Sequence, residues 1–428
     1  MTPRGLADAL IERGLDPAEH GPKETLFTGV LETWRGIRGD DPAHLWWVPG
    51  RLEVFGKHTD YAGGRALVAA APRGFAVAAA PRGDDIVRVV DAWRGESLEL
   101  PATPRPPGER LRGWRHYVDT ALRRLLRNFP RQSFAADIVL ASDLPPASGM
   151  SSSSALVIAI AEALGRIGGI QRTPDWTRNI RNRLDVAGYY ACIENGRGFG
   201  SLDGDRGVGT QGGSEDHSAI VNGLPAHVLG FAFVPARAIG AARVPADWQF
   251  VVATCGIKAN KTGRVQDAYN KLSADAAALL ALWNERGAPG PRAVSLAAVL
   301  ATPDAAETLR AMAGPLRNRL DHFMREDARI APAMRAFERG DAAELGRLAD
   351  DSQTEAESLL GNQIPETTAL AAAARRAGAL AACSFGAGFG GAVWALVERG
   401  DAARFAEAWA PQAFVLRPGP ALLDLPTK

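Results

Sequence analysis

The order of strand and helix patterns in this chain predicts an α+β protein of two domains. Three observations carry that prediction. Strands and helices follow one another irregularly, with no repeated βαβ unit. A length of 428 residues exceeds one ordinary core. The pattern also changes from strand-rich to helix-rich near Trp248, which puts a boundary in residues 224–247 and divides the chain into 1–235 and 236–428.

The first segment, MTPRGLADALIERGLDP, carries acids and helical periodicity where a secretory leader would have an apolar core, so it reads as a helix. Thr25 to Gly36 repeats that periodicity. WWVPGRLEVFG then reads as a strand, followed by strands in RALVAAAP, GFAVAAAP and DIVRVVDAW, separated by Pro, Gly and Asp turns. A helix is expected over Glu109 to Asn128, a strand over Ser133 to Ala141, and a buried apolar helix after DLPPASGMSSSSAL. Another helix is expected over Asn179 to Glu194, followed by the polar stretch NGRGFGSLDGDRGVGTQGGSEDH. From WQFVVATCG onward one strand precedes helices over Ser273 to Gly287, Ala305 to Arg339, Asp341 to Leu359 and Pro365 to Gly378, and CSFGAGFGGAVWALVE closes the pattern.

The balance of 49 basic and 48 acidic side chains gives no long-range field to recruit nucleic acid or an anionic membrane, so neither partner is expected. Any anionic ligand must be held locally. Cys192, Cys255 and Cys383 lie far apart without metal-ligand spacing, which suits a reducing cytoplasm. The apolar runs fall short of a membrane span.

Three segments can carry chemistry. PPASGMSSSSA, Pro145 to Ala155, joins a strand to an apolar helix, where unpaired N–H groups and the helix dipole favour phosphate. Serine also caps helices, so capping and phosphate binding both remain open on local chemistry. The segment matches neither the Walker lysine motif nor the dinucleotide fingerprint. GGSEDH, Gly212 to His217, sets two acids after a glycine pair and reads either as a hydroxyl-activating site or as an acidic turn. SFGAGFGG, Ser384 to Gly391, permits close backbone approach or simply a tight strand-entry turn.

Taken in order with PGRLEVFGKHTDYAGG, these segments resemble the GHMP small-molecule kinase superfamily and, within it, the galactokinase family. VVATCGIKANKTGRVQDAYNK and RNRLDHFMREDARIAPAMRAFERGD extend the resemblance over most of the chain. It implies a ribosomal-protein-S5-like N-terminal domain, a ferredoxin-like C-terminal domain and an active site in the cleft between them. ATP with Mg²⁺ would be held by Pro146, Gly149, Ser151, Ser152, Ser153 and Ser154, with Ser152 or Ser153 on the metal and Glu194 as a second metal ligand. Asp216 would orient or deprotonate the anomeric hydroxyl, with Arg51 stabilising it and the transferred phosphoryl group. Lys57, His58, Asp60, Gly213 and Tyr269 would face the sugar, and Gly386 and Gly388 would hold the phosphates or shape the cleft. A cytoplasmic monomer is expected.

The sequence departs from the family pattern GRxNxIGEHTDY at Glu53, in place of asparagine, and at Lys57, in place of glutamate. GGSEDH likewise replaces CGxMDQ. The family glutamate contacts the far end of the sugar, whereas a lysine donates hydrogen bonds and accepts none. A galactose kinase is the first reading, and a kinase for a uronic acid such as galacturonate is the alternative that Lys57 suggests. Against that alternative stands a Lys57 that pairs with Glu53 or Asp60, or faces solvent. A sugar-sensing regulator without turnover is a different class, disfavoured by the intact serines, Arg51 and Asp216. A mevalonate- or homoserine-type kinase is disfavoured by HTDYAGG.

Overall fold

The computed structural model describes residues 2–104, 110–146, 148–257, 264–286 and 291–427. Two helices open the chain, α1 (Pro3–Glu12) and α2 (His20–Arg38). Thr2 caps α1 by accepting a hydrogen bond from the Gly5 N–H at 3.1 Å, and Gly39 ends α2 in the left-handed region. There follow β1 (His44–Phe55), β2 (Arg65–Pro81), β3 (Ile86–Asp91), β4 (Glu96–Pro101), α3 (Trp114–Asn128) and β5 (Ala136–Ser142). Next come α4 (Ser152–Gly168), α5 (Pro174–Asn179), α6 (Arg183–Asn195), α7 (Glu215–Asn222), β6 (His227–Ala232), β7 (Arg237–Arg243) and β8 (Trp248–Thr254). The rest comprises α8 (Arg264–Arg286), α9 (Leu296–Leu300), α10 (Ala305–Met312), α11 (Arg317–Arg339), α12 (Ala342–Glu355), α13 (Pro365–Arg376), β9 (Ala381–Phe385), β10 (Ala392–Glu398), α14 (Ala402–Trp409), β11 (Phe414–Leu416) and β12 (Leu423–Leu425).

Among the described residues these strands make two sheets. The larger runs β12-β1-β2-β5-β3-β4, with β6 paired to β2 and β7 to β6. The smaller runs β11-β8-β10-β9 with every pair antiparallel. Its strands stand in the order fourth, first, third, second along the chain, with helices after the first and third, which is the ferredoxin-like arrangement. The expected division at residue 235 needs correction: β7 pairs with β6 and extends the first sheet to Arg243, and β12 returns to pair with β1. One apolar core joins the two sheets, and the rings of Phe55 on β1 and Trp394 on β10 meet edge to face at 5.9 Å.

Several element boundaries also differ from expectation. RALVAAAP and GFAVAAAP form one strand of 17 residues, β2. A Cβ on Gly74 would sit 2.2 Å from the Val48 carbonyl oxygen, so the missing side chain lets β2 run past β1 where a turn was expected. The helix expected over residues 305–339 breaks at Gly314-Pro315, because proline brings no N–H to the helix and Gly314 holds φ 51°. The helix expected from Asn179 starts at Arg183, where the Asn182 side chain accepts from Leu184 and Asp185 N–H groups. α3 starts at Trp114, and Glu109 lies outside the described residues.

Candidate active site

β1 supplies the first charge of the site. Its pairing with β2 is irregular between Pro49 and Arg51 and again between Glu53 and Phe55, and such bulges re-aim side chains. Arg51 therefore reaches α7. Its Nε donates to Asp216 Oδ1 at 2.6 Å, and a second nitrogen donates to the Gly149 carbonyl at 3.1 Å. Burial alone would weaken the Arg51 cation, but Asp216, Glu215 and Glu53 outweigh it and keep the guanidinium protonated. Asp216 lies in the first turn of α7, where the helix dipole favours an acid.

The serine motif meets the same point from another side. α4 begins at Ser152, behind Ser151 in the left-handed region at φ 59°. Ser154 Oγ donates to Glu194 Oε2 at 2.7 Å and lies 3.3 Å from Asp216 Oδ2. Ser154 is the serine that lies beside Glu194, while Ser153 faces Tyr117. One residue along a helix rotates the side chain by about 100°, which the sequence run of four serines does not resolve. Ser152 is half-buried at the helix start, Pro146 is exposed, and Ala147 lies outside the described residues.

The glycine motif closes on this loop. A Cβ on Gly386 would sit 3.0 Å from the Gly149 carbonyl oxygen, so two left-handed glycines bring the backbones together. Gly386 and Ala387 line the cleft. Gly388 does not line it. It packs on Asn362 and so acts on cleft shape.

His58, Asp60, Tyr61, Gly213 and Tyr269 form the opposite wall. The His58 ring bridges two domains, with Nδ1 3.0 Å from the Tyr61 hydroxyl and Nε2 3.1 Å from the Ala387 carbonyl. That carbonyl only accepts, so Nε2 carries the proton and Nδ1 accepts from Tyr61. Arg319 on α11 donates to the Tyr61 hydroxyl at 3.1 Å and to the His58 carbonyl, completing the chain. Asp60 accepts from the Tyr61 and Glu215 N–H groups at 2.8 and 3.1 Å. Burial raises the Asp60 carboxyl above its usual range against the pull of the Glu215 N–H. Gly213 has no room for a side chain, since its Cβ would fall 2.2 Å from Asp60 Oδ2. The Tyr269 ring packs on His58 at 5.1 Å, and burial followed by the Asp60 charge keeps its phenol neutral.

Lys57 does not reach the sugar wall. Its Nζ donates to Ser352 Oγ at 2.8 Å and lies 3.1 Å from Cys383 Sγ, both in the C-terminal half. Glu326 faces the same lysine and accepts from the Gly56 N–H at 2.9 Å. The expected sugar contact is thus a buried tie, and the uronic acid reading loses the residue on which it stood. Neither solvent nor Asp60 takes this side chain. Sequence reasoning missed Arg319, Asn195, Thr210 and Tyr61. The polar stretch after α6 supplies Thr210, Gly212 and Gly213 to the lining: Val208 N–H donates to the Glu194 carbonyl at 2.8 Å and Asn195 Nδ2 to the Gly212 carbonyl at 3.1 Å, which folds the stretch back into the cleft wall.

Family comparisons match this layout. The GHMP kinase N-terminal domain matches residues 116–201, the GHMP kinase C-terminal domain residues 333–416, and the galactokinase galactose-binding signature residues 34–81. A galactokinase of Roseiflexus sp. (strain RS-1) is 30% identical over 385 residues, covering 89% of this chain and 90% of its own. The chain belongs to the galactokinase family. It is a sugar kinase with ATP as phosphoryl donor. A Streptomyces coelicolor galactokinase is 26% identical over 384 residues, covering 88% of this chain and 90% of its own. The fold of this kinase is similar to that of Lactococcus lactis galactokinase solved with galactose, with TM-score 0.73, 22% identity and coverage of 93% of this chain and 100% of that one. The Methanococcus jannaschii mevalonate kinase shares the fold at TM-score 0.55 and 16% identity, covering 89% and 99%. Among the described residues no helix is long and apolar enough to cross a membrane.

Proposed function

We propose that this kinase transfers the γ-phosphoryl group of ATP to the anomeric C1 hydroxyl of galactose or a closely related neutral sugar. The observation that carries the reading is the Arg51–Asp216 contact at 2.6 Å, set where the HTD wall, the serine helix and the glycine motif converge. Asp216 would orient the attacking hydroxyl and accept its proton. Arg51 would hold that carboxylate and offset charge on the transferring phosphoryl oxygens. Phosphoryl transfer asks little covalent help from protein, so positioning and charge stabilisation supply most of the rate. His58, Asp60 and Tyr269 would pair the sugar hydroxyls, each of which costs about 1 to 3 kcal/mol if buried unpaired. The galactose complex of the Lactococcus lactis enzyme and the galactose-binding signature over residues 34–81 support that sugar.

Ser154 Oγ and the Glu194 carboxylate form an oxygen pair suited to Mg²⁺, which takes one or two protein oxygens beside phosphate and water. Bound there, Mg²⁺ would neutralise phosphate charge.

Purified protein given ATP, Mg²⁺ and a panel of sugars should release ADP with galactose and place the phosphate at C1. Asp216→Asn should lose about 10²- to 10⁴-fold in kcat while retaining ATP affinity. Phosphate on another carbon, or an undiminished Asp216→Asn, rejects the reading.

A further inference from the structure

Two departures from the family pattern meet behind the Arg51–Asp216 contact. Glu53 lies two residues along β1 from Arg51, and Glu215 directly precedes Asp216 on α7. Both side chains are buried, at 3% and 4% exposure, and both press on the same guanidinium. Each keeps an oxygen, Oε1, that receives no hydrogen bond from an N–H or hydroxyl group. Arg51 stands between them, 3.4 Å from Glu53 Oε2 and 3.3 Å from Glu215 Oε1, while its better bond goes to Asp216.

The charges facing this pair do not balance four carboxylates. Arg51, Asp216 and Asp60 face Glu215, and Arg51, Asp216 and Lys57 face Glu53. Lys57 is itself engaged by Glu326 and Cys383, and His217 turns toward Glu194 at 3.2 Å. Two buried carboxyl groups held against one guanidinium repel each other when both ionise, and one shared proton relieves that repulsion.

We propose that Glu53 and Glu215 share one proton and, as a hydrogen-bonded acid–carboxylate pair, position Arg51 on Asp216 for phosphoryl transfer. The proposal rests on the reading of Asp216 as the group that activates the sugar hydroxyl. Burial, reinforced by the neighbouring carboxylates, pushes the Glu215 carboxyl well above its usual range, and burial raises Glu53 too. With the proton in place, the pair presents one negative charge to Arg51, which stays on Asp216. When rising pH removes it, a second carboxylate competes for the guanidinium, and Asp216 loses its partner. Glu53 and Glu215 are positioning residues, acting through Arg51.

Glutamine at either position replaces the shared proton with a permanent N–H donor. Infrared spectra of the ligand-free protein should show a protonated carboxyl band at neutral pH that is lost in both Glu53→Gln and Glu215→Gln. This arm needs no substrate, so it stands or falls apart from the sugar assignment. In kinetics with whichever sugar turns over, wild-type kcat should fall by up to about tenfold per pH unit above the pair's ionisation, and both glutamine variants should lose that alkaline limb. A band absent from the wild type, a band kept in both variants, or superimposable pH profiles overturns the proposal. If one variant fails to fold, the other still decides it.

Discussion

Lys57 and His58 are neighbours in sequence with opposite destinations. Gly56 at φ 111° and His58 at φ 57° turn the backbone sharply, and a Cβ on Gly56 would fall 2.5 Å from Ala66. The turn sends His58 to the cleft and Lys57 to Ser352 and Cys383. The identity of the cluster was legible in the sequence, because GKHTDY carries the family order, but which side chain faces which way depends on those two dihedrals. Removing the buried ammonium leaves Glu326 short of one partner. Lys57→Met should therefore lower stability by on the order of 3 kcal/mol, read as the urea midpoint, since breaking a buried charge pair is strongly destabilising. Its ratio of turnover among sugars should equal that of the wild type; a changed ratio would return Lys57 to the sugar wall.

The elements were read from periodicity, which works where one face is buried and fails where a local contact overrides it. α4 was legible because a long apolar run follows the serines, and β1 because the apolar positions flank a glycine-bounded loop. β4 escaped: ESLELP alternates, but it is short and half exposed at the sheet edge. Ser384 to Gly391 reads in sequence as close backbone approach or a tight turn, and only tertiary geometry shows that the serine loop is what it approaches. Gly386 at φ 82° tests it, since a left-handed non-glycine residue costs about 1 to 3 kcal/mol and its Cβ would also press on Gly149. Gly386→Ala should raise KM for ATP about tenfold or more. Gly378→Ala is the control: Gly378 has φ 98° but nothing within 4 Å of its Cβ, so it should lose stability and keep the wild-type KM.

At the scale of the whole molecule, the two sheets share a core and a charged tie. Lys57 belongs to the N-terminal half, whereas Glu326, Arg329, Ser352 and Glu355 come from α11 and α12 of the C-terminal half. Arg329 pairs with Glu326 and, at 2.5 Å, with Glu355. Nothing in the sequence joins these residues, which lie about 270 positions apart, so the tie was not legible, and neither was the return of β12 to the first sheet. The tie has a pH signature. Burial would raise the Glu326 carboxyl, but Lys57, Arg329, His322 and the Gly56 N–H outweigh it and hold it down to about 2, from an ordinary 4.5. A carboxyl depressed on folding contributes stability above its unfolded pKa, here on the order of 3 kcal/mol, and loses it as pH falls toward 2. The raised carboxyls of Glu215 and Asp60 act with the opposite sign, favouring the folded state at low pH, so the wild-type profile alone mixes both contributions. Comparison with Glu326→Gln isolates the tie. The stability gap between wild type and variant in urea unfolding should be full near pH 7, fall to about half by pH 3 and close toward pH 2. A gap that is the same at pH 3 and pH 7 would mean that Glu326 is not the ionised centre binding the two halves together.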